Sequence, residues 1–69
     1  MRNNLIHTRK NSQFTQKKLA NILGITIRHY KLLESGNSNG SVKVWEQLAK
    51  LFNTTIDFLL EQKDNPIEF

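Results

Sequence analysis

The sequence contains no cysteine, one proline and three glycines. Without cysteine the chain can form neither disulfide bonds nor thiolate zinc sites, which favours an intracellular, cytoplasmic protein. No apolar run is long enough for a signal peptide or a membrane span, so we expect no membrane contact. The single proline, Pro66, lies near the end, so helices are permitted through most of the chain.

Side chains that usually carry catalysis are also scarce. The only histidines are His7 and His29, and the acidic residues show no metal-ligand spacing. We therefore expect no enzyme activity, no metal, no cofactor and no small-molecule ligand.

The length of 69 residues sets a limit of one domain. A core this small supplies only a few kcal/mol of net stability, so a fold of this size without disulfides leans on close helix packing or on a partner subunit. A homodimer is therefore expected.

The charge is distributed unevenly. Residues 1–36 carry seven basic residues against one acidic residue, whereas residues 37–69 carry three against five. The first half is thus at +6 and the second at −2, as expected if the first half meets a polyanion and the second faces protein or water. The alternative is a solvated basic surface without a partner.

Small polar residues and glycine divide the chain into five short segments with helical patterns. The first runs from Asn3 to Asn11, and the expected N-caps of the other four are hydroxyl residues. These are Thr15, Thr26, Ser41 and Thr55. Three apolar stripes are expected to face the core: Leu19, Ala20, Ile22 and Leu23 in the second helix; Val42, Trp45, Leu48, Ala49 and Phe52 in the fourth; Ile56, Leu59 and Leu60 in the fifth.

The second and third helices are joined by a very short connection. Gly24 is placed to end the second helix in a left-handed conformation, and only Ile25 separates it from Thr26. This spacing predicts a helix-turn-helix unit. The third helix runs from Ile27 to about Ser35, and its helical geometry separates an inner face from an outer one. The inner face holds Tyr30, Leu33 and Glu34; the outer face holds Ile27, Arg28, Lys31, Leu32 and Ser35.

The same residues carry a family resemblance from about Leu5 to Leu60. Its motifs are Thr15-Gln16, Leu19-Ala20, Gly24-Ile25, Glu34-Ser35-Gly36, Trp45, Leu48-Ala49, Asn53 and Ile56-Asp57-Phe58-Leu59-Leu60. In this order and spacing they resemble the phage repressor and Cro-like (XRE) helix-turn-helix family. The resemblance implies an all-α, five-helix, lambda-repressor-like domain over residues 1–62, with residues 63–69 as a C-terminal tail.

The resemblance also implies a double-stranded DNA operator as the partner. Four residues of the third helix match positions from which family members reach base edges: Ile27, Arg28, Lys31 and Leu32. A guanidinium can bond both major-groove acceptors of guanine, so Arg28 is the expected specific contact. Ile27 and Leu32 are apolar where relatives often carry polar residues, and thymine methyl groups are their natural targets.

Phosphate contacts are expected where free N–H groups, amides and basic side chains border the third helix. The candidates are Thr15, Gln16, Lys17, Thr26, Ser35, Asn37, Ser38 and Lys43. Lys10 and Arg2 are interpreted as surface charges that add long-range attraction. Arg9 and Glu34 are expected from the resemblance to form a structural ion pair; the alternative is two unrelated surface charges.

These residues favour a bacterial or phage-encoded transcriptional regulator, most simply a Cro-like or immunity-type repressor. The competing hypothesis is a protein-interaction module such as an antitoxin or adaptor, with exposed Ile27 and Leu32 as its binding residues. RNA binding is less favoured, because no stacking platform is evident. The four residues Phe14, Trp45, Phe52 and Phe58 are interpreted as core or near-core; the alternative for Phe58 is a dimer surface together with Ile67 and Phe69.

Overall fold

The computed structural model describes residues 1–61, and within them the chain forms five α-helices. These are α1 (Asn3–Asn11), α2 (Gln16–Leu23), α3 (Ile27–Ser35), α4 (Val42–Phe52) and α5 (Ile56–Leu60). No strand occurs in that part of the chain, so the prediction of an all-α, five-helix fold is confirmed. The predicted tail, residues 63–69, lies outside the described residues, and so do Ile67 and Phe69.

Hydroxyl side chains begin four of the helices, as the sequence predicted. In each case the hydroxyl oxygen accepts a hydrogen bond from the backbone N–H three residues later, which satisfies a donor that the first helical turn cannot. The bonds run from Lys18 N to Thr15 (3.0 Å), His29 N to Thr26 (3.0 Å), Val44 N to Ser41 (3.2 Å) and Phe58 N to Thr55 (3.1 Å). Each cap contributes about 1 kcal/mol.

The connection between α2 and α3 is closed by a left-handed glycine. Gly24 has φ 74°, a region that side chains with a Cβ atom rarely adopt. The next N–H, of Ile25, then turns back to donate to Ala20 O at 3.0 Å. This closure brings Thr26 directly into position to start α3, which keeps the two helices of the predicted helix-turn-helix in contact.

The core lies where all five helices meet. It contains Leu5, Leu19, Ala20, Leu23, Tyr30, Leu33, Val44, Trp45, Leu48 and Leu59. Helix α2 packs on α3 and α4, while α1 packs on α5 and α3. At the edge, the rings of Phe14 and Phe52 meet edge to face, with 5.9 Å between their centroids.

Three residues predicted to lie in or near the core do not, and one of them is Phe58, which is 46% exposed because it lies on the side of α5 opposite Ile56 and Leu60. Ile22 is 43% exposed and Val42 is 71% exposed, and Val44 is buried in α4 instead. Ile22 and Val42 lie about 100° around their helix axes from the middle of the buried face, at the boundary between inside and outside. In addition, Val42 is the first residue of α4. Helical side chains lean toward the preceding turn, and no such turn exists at this position.

Candidate nucleic-acid interface

The outer face of α3 is open to solvent. All four residues predicted to contact bases, Ile27, Arg28, Lys31 and Leu32, are exposed, and the two apolar ones are 41% and 38% exposed respectively. The inner face is closed, because Tyr30, Leu33 and Glu34 are buried. The two faces therefore fall as helical periodicity predicted. Helix α3 therefore carries a basic and apolar ridge, formed by Ile27, Arg28, Lys31 and Leu32, and its opposite side is packed in the core.

The packing of α2 beneath α3 sets the direction of that ridge. The buried residues of α2 are Leu19, Ala20 and Leu23, and they belong to the same cluster as Tyr30 and Leu33 of α3. A small residue such as Ala20 lets two helix axes approach closely. The orientation of α3 therefore follows from its core residues, and its outer residues take no part in that packing.

An ion pair ties α1 to α3 behind the ridge. Arg9 Nε donates to Glu34 Oε2 at 2.6 Å, and the two side chains are only 12% and 5% exposed. Arg9 also donates from Nη1 to Phe14 O at 3.0 Å. The structure thus contains the Arg9–Glu34 pair that the resemblance implied, and it makes Arg9 a link between α1, the segment before α2, and α3.

Gln16 joins this network. Its Nε2 donates to Glu34 Oε1 at 2.9 Å, so the side chain expected to meet a phosphate is held by the carboxylate of α3. A side-chain amide carries two N–H donors and one oxygen acceptor. The second donor remains for another partner, and Glu34 sets the direction in which it points.

Tyr30 places its hydroxyl beside the same network. Burial, followed by the nearby negative charge of Glu34, raises the pKa of the Tyr30 hydroxyl above its ordinary value of 10.0. Among residues 1–61 the hydroxyl has no hydrogen-bond partner. It therefore stays protonated and neutral across the physiological range, and its ring serves the core.

The hydroxyl residues at the starts of α2 and α3 are exposed, together with Lys17. As caps, Thr15 and Thr26 accept hydrogen bonds through their oxygens. Each hydroxyl keeps its own hydrogen, which can be donated to a phosphate oxygen. The positive end of the helix dipole adds a favourable field for an anion at the same place.

The remaining candidates flank the C-terminal end of α3. Ser35 donates its hydroxyl hydrogen to Leu32 O at 3.0 Å, and the hydroxyl of Ser38 accepts from Gly40 N at 3.3 Å. Ser35 has therefore already used its only hydroxyl donor within the chain. Asn37, in the loop of residues 36–41, and Lys43, in the first turn of α4, are exposed.

The structure corrects the interpretation of Arg2 as a surface charge. Arg2 is only 9% exposed, and its Nη1 donates to Leu33 O at 2.6 Å and to Ser38 O at 2.7 Å. Burial lowers the pKa of its guanidinium. No local pattern indicated this role, because every hydrogen-bond acceptor of the guanidinium lies more than 30 residues away along the chain.

Among residues 1–61, no three His, Asp or Glu side chains lie close enough together to hold a metal ion. None of the helices within residues 1–61 combines the length and the apolar character that crossing a membrane requires.

A family model described as helix-turn-helix matches residues 7–59. The match covers α2, α3, α4 and most of α1 and α5, and so includes the ridge on α3 and the supports behind it. Searches of curated proteins and of solved structures gave no match.

Proposed function

The chain belongs to the XRE-type helix-turn-helix family of DNA-binding regulators, and we propose that it is a sequence-specific repressor of the Cro-like or immunity type. In this proposal α3 enters the major groove of a short operator, and repression follows when that operator overlaps a promoter. The protein would act in the cytoplasm of a bacterium, on chromosomal or phage DNA. The observation that supports it most is the exposed basic and apolar ridge of α3, opposite a face locked by Tyr30, Leu33 and Glu34.

The proposed contacts fall into two classes. Arg28 reads guanine, Lys31 contacts guanine or a phosphate, and Ile27 and Leu32 contact thymine methyl groups. The phosphate class orients the domain without reading sequence. It comprises Thr15, Gln16, Lys17, Thr26, Ser35, Asn37, Ser38 and Lys43, among which Ser35 would have to release Leu32 O to donate.

We propose that the active form is a homodimer whose half-sites lie about 34 Å apart, one turn of the duplex. The dimer surface is proposed to include Phe58, which is 46% exposed on α5. Sedimentation of the free protein and of Phe58→Ser tests this. A concentration-dependent dimer that Phe58→Ser weakens would support it, and a monomer at every concentration would reject it.

Selection from a random-sequence duplex pool at two salt concentrations tests the DNA proposal. We expect Arg28→Ala to lose preference at one position per half-site, worth about 1–3 kcal/mol of discrimination. Lys43→Ala should weaken all sequences evenly. Lys50→Ala, which removes an exposed charge from the last turn of α4, is the matched control and should change neither property. Unaltered selection by Arg28→Ala would remove Arg28 from its proposed role.

A protein partner remains a second candidate because Ile27 and Leu32 expose apolar surface on α3. The salt dependence separates the two functions. Binding through phosphates weakens with a slope of about −0.9 per contact on logarithmic axes, whereas an apolar protein contact responds weakly to salt. If the wild type binds no duplex at low salt, DNA binding is rejected and the protein-interaction function is favoured.

A further inference from the structure

We propose that Arg2 is a positioning residue for DNA binding, one that holds the loop of residues 36–41 in the place from which it meets the DNA backbone. This loop connects α3 to α4 and carries Asn37 and Ser38, and Lys43 follows just beyond it. The inference rests on the proposed function, because it concerns the backbone contacts of the same interface.

One nitrogen of Arg2 joins the loop to α3. Nη1 donates to Leu33 O in the last turn of α3 and to Ser38 O in the loop, at 2.6 and 2.7 Å. Nη2 lies 3.4 Å from Asn39 Oδ1, a third contact with the loop. The backbone N–H of Arg2 itself donates to Glu34 O at 2.8 Å. These bonds set the distance between the loop and the end of α3.

The indole of Trp45 is a second support for the loop. The Arg2 guanidinium carbon lies 5.0 Å from the centre of the Trp45 ring, within cation–π distance. The indole Nε1 donates to Asn39 O. Gly40 lies close beneath, where an added Cβ would be 2.8 Å from Leu33 Cδ2. The loop is therefore held by contacts with Arg2, Trp45 and Leu33, while Asn37 is exposed.

The chemistry of the site requires an arginine. Its hydrogen-bond acceptors within residues 1–61 are two backbone carbonyls and one side-chain amide, all neutral. The negative end of the α3 dipole favours a cation here. A planar guanidinium can stack on Trp45 while donating in fixed directions, whereas a lysine ammonium is a compact charge that cannot do both.

The test compares the wild type with Arg2→Lys, which keeps the charge, in titrations of a selected duplex between 50 and 200 mM salt. We expect Arg2→Lys to bind about tenfold more weakly at the low-salt end, with a salt slope less steep by up to about 1, because Lys43 is the one charged phosphate candidate that adjoins the loop. The order of base preferences should stay the same. Arg2→Met, a further variant, removes both the hydrogen bonds and the charge of Arg2. Lys50→Met, on the exposed surface of α4, is its control for the change in net charge.

Trp45→Phe provides a second route if Arg2→Lys does not fold, because it removes the bond to Asn39 O and keeps an aromatic ring in the core. Thermal melting establishes that each variant is folded at the titration temperature. A shallower slope with unchanged base preference, in whichever variant folds, supports the inference. A folded Arg2→Lys with the wild-type slope and affinity overturns it and leaves the proposed function standing. A wild type that binds no duplex overturns both.

Discussion

Breaking the Arg9–Glu34 pair should destabilise the domain far more than replacing both partners. The atoms Nε and Oε2 lie 2.6 Å apart, and the two side chains are 12% and 5% exposed, so either group left alone keeps a charge largely removed from water. Removing one partner of a buried pair costs about 3–5 kcal/mol. Because Arg9 is the more exposed partner and also donates to Phe14 O, we expect the lower end, about 3 kcal/mol, for Glu34→Leu.

The assay is a double-mutant cycle of Arg9→Met, Glu34→Leu and the double variant. Urea unfolding is followed through Trp45, the only tryptophan, which is 3% exposed in the native state. At a slope of about 1 kcal/mol per molar urea, Glu34→Leu should lower the midpoint by about 3 M, and Arg9→Met, which leaves the more deeply buried carboxylate without its arginine, by at least as much. All proteins are measured in sucrose, which raises the stability of a domain that has only a few kcal/mol to lose.

Glu46→Gln is the matched control on the exposed surface of α4, and it should change the free energy of unfolding by less than about 0.5 kcal/mol. The double variant should recover at least half of the summed cost, because two apolar side chains leave no buried charge behind. Additive costs, with no recovery in the double variant, would refute the reasoning that the pair is coupled and buried.

Three further outcomes are expected. Gly40→Ala should destabilise the domain by about 2 kcal/mol or more, because φ is +64° and the added Cβ would meet Leu33. Gly24→Ala has open space around the added Cβ and should cost about 1 kcal/mol, from its positive φ alone. Equal melting temperatures for the two variants would contradict this comparison. Because the pKa of Tyr30 is raised in the folded protein, the unfolded chain loses the hydroxyl proton at lower pH than the folded chain does. The contribution of Tyr30 to the free energy of unfolding is therefore complete below about pH 10 and falls above it. Tyr30→Phe should therefore flatten the fall in stability above pH 10, and an identical fall in both proteins would reject that cause. Thr26→Ala should lower stability by about 1 kcal/mol through loss of the cap at α3, measured by urea unfolding, and Thr26→Asn should restore it.

The helix boundaries could be predicted from the sequence because capping is local. Thr15, Thr26, Ser41 and Thr55 each bond an N–H three residues ahead, and Gly24 closes α2 within one turn. The inner and outer faces of α3 followed from helical periodicity for the same reason. Such features depend on neighbours within about four residues along the chain.

Features that depend on distant parts of the chain could not be predicted in this way. In the sequence Arg2 is indistinguishable from a surface cation, and its role depends on the fold, which brings the C-terminal end of α3 and the loop that follows it against Arg2. The phase of α4 was also ambiguous, since Val42 and Val44 both fit an apolar stripe that includes Trp45, and only packing against the other helices buries Val44. Gln16 was expected at a phosphate, and its bond to Glu34 required the relative placement of α2 and α3.

Insertion of α3 into the major groove can be examined by methylation interference on a selected duplex. Dimethyl sulfate methylates guanine at N7, in the major groove, and adenine at N3, in the minor groove. A single reagent therefore tests contacts in both grooves. We predict that methylation of one guanine N7 per half-site blocks binding by the wild type, that Arg28→Ala no longer distinguishes that base, and that adenine N3 methylation has little effect. Interference confined to adenine N3, or absent from both grooves, would contradict the placement of α3.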